Sequence, residues 1–332
     1  VIRAAVWQAG VAPTVEPGQL PPPPGEGQFV WIDLVAPTAD EDARVFQAYF
    51  PVHPLTLEDI NRPRRLPEQG AHLPKVEEFP GYLFVIVNPL PVPGDNGKTR
   101  YSTRTRPQLS AILTRNLLIT HHDKPLPCID AVWDYCARHD GCLGRGPDYL
   151  FHLVLDAMVD EYAPVVETLA DRLDRIEGRI FTKPTRDLLA RLLRLKRHVS
   201  FLRKTIILER EVLARLTRGE FALVEAREMV YYRNVYDHLV RYAELVESGR
   251  EMVSDLMQTH LAATSNRLNE VMKLLTMFSA IVLPMSLIAG VYGMNFENLP
   301  EVKWPYGYYF ALGLMAITGL VGLVYFRWKK WI

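Results

Sequence analysis

A chain of 332 residues is long enough for two domains of ordinary size, and its 38 basic and 38 acidic side chains cancel. With no net field, nothing in the composition argues for a nucleic-acid partner. The three cysteines, Cys128, Cys136 and Cys142, are odd in number and lack a C-x-x-C pair. Neither a zinc ribbon nor a disulfide framework is expected from them, and with His139 in their midst they read as reduced thiols packed in a fold.

The first residues, Val1-Ile2-Arg3-Ala4, carry no long apolar run behind a basic patch, so no signal peptide is expected. Most of the 25 prolines lie before residue 148. In that part Tyr82–Val87, Gln108–Leu113 and Asn116–Thr120 are short β-rich runs bounded by turn residues. Gly94-Asp95-Asn96-Gly97 reads as a hairpin turn. Together they predict a mixed α/β body over residues 1–148. Gly97-Lys98-Thr99 is not a phosphate loop, because the glycine required five residues earlier is Val92. No nucleotide partner is expected, and an ATP-driven pump has no support.

No proline lies between Thr185 and Leu283, and Gly219 and Gly249 are the glycines of that interval. Proline costs about 3 kcal/mol in a helix interior, so its absence predicts two long helices, broken near Gly219. The first belongs to a helical segment over 149–218. The second runs from about Phe221 to Val291, on the order of 100 Å at about 1.5 Å per residue. Tyr232, Tyr236, Leu239, Ala243, Val246, Val253, Met257 and His260 recur on it with alternating three and four spacing. Such a stripe suits self-association or packing against the chain's own preceding helices.

No side chain is charged from Leu274 to Phe296 or from Trp304 to Phe326. A bilayer core of about 30 Å needs about 20 apolar residues in a helix, and Leu274–Val291 and Tyr308–Phe326 meet that requirement. Buried helices of a soluble protein usually carry charge along one edge, and these carry none. Arg267 and Lys273 precede the first span, and Arg327, Lys329 and Lys330 close the second. The loop over 292–304 carries Glu297 and Glu301 against Lys303. Positive flanks stay in the cytoplasm, which predicts two spans of a plasma (inner) membrane, the second over 305–327, and both termini inside. The tail over 328–332 is then cytoplasmic. Trp304, Tyr306, Tyr308, Tyr309, Trp328 and Trp331 at the ends of the second span suit an aromatic belt.

The three-and-four spacing continues into the first span as Asn269, Met272, Thr276, Ser279, Leu283, Ser286 and Gly290. The other side, Phe278, Ile281, Val282, Met285 and Ile288, is wholly apolar and suits lipid or the second span. A face of amide, hydroxyls and glycine within a span usually meets protein or water, although small residues also serve helix packing alone. Pro284 leaves the carbonyl of Ala280 without its helical donor. Two helices cannot enclose an aqueous path, so a path lined by this stripe requires several copies around an axis.

Tyr292-Gly293-Met294-Asn295-Phe296-Glu297, followed by Leu299-Pro300-Glu301, resembles the signature loop of the CorA family of magnesium channels. Asn269-Glu270-Val271-Met272-Lys273-Leu274-Leu275-Thr276 resembles that family's entry to its first membrane helix. Trp31-Ile32-Asp33-Leu34, His53-Pro54-Leu55 with Leu57-Glu58-Asp59, and Leu117-Leu118-Ile119-Thr120 are further matches, so the resemblance covers nearly the whole chain. It implies an α+β protein: a mixed α/β cytoplasmic domain and a very long stalk helix continuing into the first of two transmembrane helices. It also implies assembly as a funnel-shaped homopentamer. By position it makes Asn295 a ring of carboxamides at the outer mouth and brings Gly293 carbonyls near the axis, with Tyr292 bracing the loop beside Met294. Met272, Leu275 and Leu283 become apolar constrictions, Asn269 the inner mouth, and Thr276, Ser279, Ser286 and Gly290 the wall between them.

The implied chemistry agrees with what the residues offer. Mg²⁺ holds its water tightly in an octahedron of oxygens, so amide and carbonyl oxygens that accept hydrogen bonds from the water shell select a hydrated ion without stripping it. Conduction needs weak sites, and apolar rings can close a path by dewetting. Glu297 and Glu301 raise local cation concentration without trapping an ion. Co²⁺ is an expected second ion. In one respect the chain departs from the family pattern. Where better-known members use a stalk Asp to bind regulatory metal between neighbouring subunits, this chain has Asn234, with Asp237 nearby as a compensating acid. A zinc transporter of the ZntB branch, proton-coupled, is the alternative; Met294 favours Mg²⁺ over Zn²⁺ because that branch tends to replace the motif's Met.

Overall fold

The structure is a computed structural model, and it describes all residues except 9, 10, 18, 67, 69, 92–105, 140, 183–185, 295–303 and 332. The chain divides into two units, Val1–Gly178 with Arg186–Leu256, and Met257–Ile332 with Arg179–Thr185. The expected hairpin turn at 94–97 lies outside the described residues.

The first unit is built on a seven-stranded mixed sheet. Its strands are β1 (Ile2–Gln8), β2 (Val11–Pro17), β3 (Gln28–Val35), β4 (Lys75–Phe79), β5 (Tyr82–Val87), β6 (Leu109–Leu113) and β7 (Leu117–His122), in the order β2-β1-β3-β7-β6-β5-β4. The β3–β7 pair is parallel and the other pairs are antiparallel. Every residue of β5, β6 and β7 is buried, as expected of strands covered on both faces. On one face Ile32, Leu34, Phe84, Ile86, Ile112 and Ile119 meet Val45, Phe46 and Ile60. Those last three come from α1 (Ala39–Tyr49) and α2 (Pro54–Ile60), which are followed by the short α3 (Arg62–Arg65). On the other face α4 (Pro127–Arg138) stacks Trp133 on Trp31, with ring centroids 4.1 Å apart, and α5 (Pro147–Asp160) packs against β3, β6 and β7.

Several of the quoted motifs turn out to hold this unit together. Asp33 and Thr120 are paired across β3–β7. Thr120 donates to Asp33 at 2.6 Å and accepts from the Trp31 indole at 3.1 Å. Burial alone raises the Asp33 carboxyl, but His122, Thr120 and Arg3 together hold it below the usual range. His53 caps α2, its ring nitrogen accepting from the Leu55 N–H at 3.2 Å, with Pro54 at the first helical position. Asp59 pairs with Lys75 at 2.6 Å.

The remaining helices are α6 (Tyr162–Thr182), α7 (Arg186–Thr217), α8 (Met229–Tyr292) and α9 (Gly307–Trp328). Helix α8 begins eight residues after the expected Phe221. Gly219 adopts a left-handed φ of 71°, which glycine reaches without steric cost. Phe221 and Val224 are buried as anchors of the turn that follows, and the Glu225 N–H goes to Asp148 rather than to a helical carbonyl. In the first unit the stripe Tyr232, Leu239, Ala243, Val246 and Val253 is buried by the chain itself, and Gly249 faces Leu169 and Leu173 of α6. That is the intrachain alternative for this part of the stripe. The expectation of three reduced cysteines is corrected: Cys136 and Cys142 are bonded, their Cα atoms 5.4 Å apart, leaving Cys128 free and buried. The turn between them brings residues six apart together, which spacing in the sequence does not announce.

Candidate functional site

In the second unit α9 packs along one face of α8. Met277 is buried there, and Ile281, Met285, Ile288 and Tyr292 are half-buried. Their spacing of three and four places them on one side of a helix. Gly322 and Gly319 let the helices approach. A Cβ built on Gly322 would lie 3.0 Å from Ile281 Cγ1, and one on Gly319 would lie 3.6 Å from Met285 Sδ. Both helices are long and apolar enough to cross a membrane, and their apolar windows are only 6% and 11% buried. A core helix of a soluble protein would be mostly enclosed.

The opposite side of α8 carries the polar stripe. Asn269, Met272, Leu275, Thr276, Leu283, Ser286 and Gly290 are exposed, and Ser279 is half-buried. A Cβ on Gly290 would meet nothing within 4 Å. Summing 100° per residue, the stripe centres roughly half a turn away from the face that α9 covers. Of the five residues expected on the apolar side, Ile281, Met285 and Ile288 are half-buried on the face that α9 covers, whereas Phe278 and Val282 are exposed beside it; Met277, Gly319 and Gly322 were not singled out. The signal for the glycines was their three-residue spacing in an otherwise bulky helix.

At the C-terminal end of α8, Tyr292 closes the helix and the Gly293 N–H donates to the Ala289 carbonyl at 2.9 Å. A Cβ on Gly293 would stand 2.9 Å from that same oxygen, closer than real Cβ contacts, so this position requires glycine for close approach. Met294 is exposed. Asn295, Glu297 and Glu301 lie outside the described residues. Near the start of the apolar stretch of α8, a cleft of about 530 Å³ is lined by Asn266, Asn269, Glu270, Met272, Lys273, Thr276 and Trp331. The Lys273 ammonium stands 5.9 Å from the Trp331 ring, a cation–π contact that returns the basic tail to α8.

The first unit holds a separate cluster. Asp156 and Asp160, one turn apart on α5, meet His238 of α8, with one ligand atom from each within 4.8 Å of the others. Burial raises the Asp156 carboxyl, and the Asp160 charge adds to that while His238 opposes it. His238 Nδ1 is buried without a hydrogen-bond partner. Two carboxylates and an imidazole suit a divalent ion: the oxygens serve Mg²⁺ with retained waters, and the nitrogen serves Co²⁺ or Zn²⁺. Asn234 is exposed one turn before His238 on the same face of α8, whereas Asp237 is exposed and not part of the cluster. The sequence reading pointed to Asn234 and Asp237 and missed the three that meet. Only the four-residue spacing of Asp156 and Asp160 hinted at them.

A family model described as a CorA-like Mg²⁺ transporter protein matches residues 26–330. The cobalt/magnesium transport protein CorA of Thermotoga maritima is 35% identical over 303 residues, covering 91% of this chain and 83% of that one. The complete structure of the CorA magnesium transporter from Methanocaldococcus jannaschii matches with a TM-score of 0.82 at 21% identity, over 100% of this chain and 99% of that chain. The ZntB cytoplasmic domain from Vibrio parahaemolyticus matches with a TM-score of 0.59 at 13% identity, over 81% of this chain and 99% of that chain. At such identities the two structures speak to the fold alone, and the full-length match covers the α+β body, the very long helix and both apolar helices of this chain. Membership rests on the family match across nearly the whole length and on the Thermotoga relative: the chain belongs to the CorA-like Mg²⁺ transporter family.

Proposed function

We propose that this chain forms a homopentameric channel in the plasma membrane for passive influx of hydrated Mg²⁺, with Co²⁺ as a second permeant ion. Both termini lie in the cytoplasm, and the body at 1–148 and the helices at 149–218 precede the stalk. The observation that carries this reading is the two-sidedness of α8. One face is sealed by α9, and the opposite face offers Asn269, Thr276, Ser286 and Gly290 to whatever surrounds an axis. Repeated around such an axis, amides and hydroxyls hydrogen-bond the water shell of the ion, while Met272, Leu275 and Leu283 narrow the path by dewetting. Asn295 supplies the outer ring of carboxamides, with Gly293, Met294 and Tyr292 shaping the turn, and Glu297 and Glu301 concentrate cations at its mouth. Asp156, Asp160 and His238 form the regulatory metal centre of the body, supplying the charge that Asn234 lacks.

The test is divalent flux into proteoliposomes. Asn295→Ala is expected to reduce Mg²⁺ flux to the level of empty vesicles while leaving the oligomer intact by size-exclusion chromatography; normal flux would remove Asn295 from the filter. Mg²⁺ and Zn²⁺ flux measured with and without a pH gradient decides the ion. Zinc flux that requires the gradient, with no Mg²⁺ flux, would replace this reading by a proton-coupled zinc carrier.

A further inference from the structure

The connection from α4 to α5 is held closely from Cys142 onward. Cys136 lies in the last turn of α4 and Cys142 stands just before a 3-10 turn over Leu143–Arg145. Their Cα separation of 5.4 Å lies within the usual range for a disulfide. Gly144 lies under the Trp7 indole, where a built Cβ would come within 2.7 Å of Cζ2. The Arg145 guanidinium stands 3.7 Å from the Tyr149 ring centre and 4.5 Å from that of Tyr231. It donates to Glu228 at 2.7 Å and to the Tyr231 hydroxyl at 3.1 Å. Asp148 accepts from the Glu225 N–H at 3.0 Å, and its carbonyl accepts from the Tyr232 hydroxyl at 2.7 Å. Through these contacts the connection grips the turn before α8 and the first turn of α8 itself.

The third cysteine differs in kind. Burial, reinforced by Glu161, pushes the Cys128 thiol far above its ordinary value, which suppresses the reactive thiolate. Cys136 and Cys142 are themselves buried, but residues 137–139 and 141 over their bond are exposed, so a small thiol reagent reaches the bond only through a local opening of that turn.

We infer that Cys136 and Cys142 are a reversible thiol–disulfide site, and that its state tightens or loosens the hold of Arg145 on the start of α8. The oxidant is a low-molecular-weight disulfide such as glutathione disulfide. One cysteine thiolate attacks it, forming a mixed disulfide and expelling one glutathione thiolate. The second cysteine thiolate then attacks the protein sulfur and expels the other. Two protein thiols and one glutathione disulfide become one protein disulfide and two glutathione thiols. A reducing cytoplasm holds the pair open and oxidative stress closes it. That physiological setting rests on the cytoplasmic placement proposed above; the chemistry does not.

The experiment equilibrates the full-length protein in detergent micelles across a series of glutathione to glutathione disulfide ratios. It is then quenched, unfolded and alkylated with a maleimide. Of the three cysteines, all are expected to alkylate at the reducing end and Cys128 alone at the oxidising end, through one two-electron transition. Hydrogen exchange on the two end states is expected to be about ten-fold slower at residues 141–149 and 225–232 in the oxidised form. Cys136→Ser with Cys142→Ser is expected to exchange like the reduced protein at every ratio. Three alkylated cysteines at every ratio, or equal exchange at 225–232 in the two end states, would overturn the inference. So would a glutathione response that persists in the double variant. If the variant does not fold, the titration and exchange on the unaltered protein decide alone.

Discussion

Glu209 of α7 shows how a residue with no part in the proposed ion path bears on the molecule. It is fully buried, and its carboxylate accepts hydrogen bonds from the Tyr162 hydroxyl at 2.6 Å and the Asn88 N–H at 3.1 Å. Burial outweighs the relief these bonds and Arg106 provide, and pushes the carboxyl up to about 8 from an ordinary 4.5. An acid with a raised pKa binds its proton more tightly folded than unfolded. Its contribution to stability is full below 4.5 and is lost as pH rises through about 8. Melting temperature is expected to fall across that window, and Glu209→Gln is expected to flatten the fall, read from thermal melts between about pH 5 and about pH 9. An unchanged slope would move the cause to another group, with Glu161, pushed up to about 7 by burial, next in line. None of this was legible in the sequence, where Glu209 is one acid among basic neighbours on a long helix. Gly293 was legible as part of a motif, but the reason for glycine there, an Ala289 oxygen 2.9 Å from where its Cβ would be, needed the backbone.

At the scale of elements, α8 does two jobs with one continuous pattern of spacing. In the first unit its stripe is buried by the chain's own helices, and in the second its bulky side is covered by α9 while its polar side is open. The period of three and four predicted the helix and its faces, because side-chain direction repeats with the backbone. It could not say what covers each face, since a stripe suits any apolar partner. The start of α8 at Met229 rather than Phe221 has a related reason: nothing local forbids a helix over 221–228, and Asp148 diverts the Glu225 N–H from a distant part of the chain. The α8–α9 contact makes a direct prediction. Gly322→Leu forces atoms into space held by Ile281 and is expected to cost about 1–3 kcal/mol in a detergent melt. Gly313→Leu, with nothing within 4 Å of its Cβ position, is expected to stay within about 0.5 kcal/mol. Equal effects would mean that the small residues of α9 do not set the helix approach.

For the whole molecule, the proposed function is tested first at the Asp156, Asp160 and His238 cluster. Binding of Mg²⁺ or Co²⁺ by Asp156, Asp160 and His238 is expected to stabilise the protein, by about 3 kcal/mol at a few hundred times the dissociation constant. Asp160→Asn is expected to abolish most of that gain. His238→Ala is expected to weaken the response to Co²⁺ more than to Mg²⁺, because imidazole favours the transition metal. Thermal melts with each ion check both, and a full metal response in Asp160→Asn would dissolve the cluster as a site. The sequence by itself determined the two apolar spans, the polar face of the first, the strands at the centre of the sheet and the family, because hydrophobic periodicity and charge exclusion are local properties of the chain. Only the tertiary structure decided that α9 seals the face opposite the stripe, that Cys136 meets Cys142, and that His238 rather than Asp237 joins Asp156 and Asp160. Each of those is a meeting of groups whose neighbours in space are set by packing, which spacing along the chain does not encode.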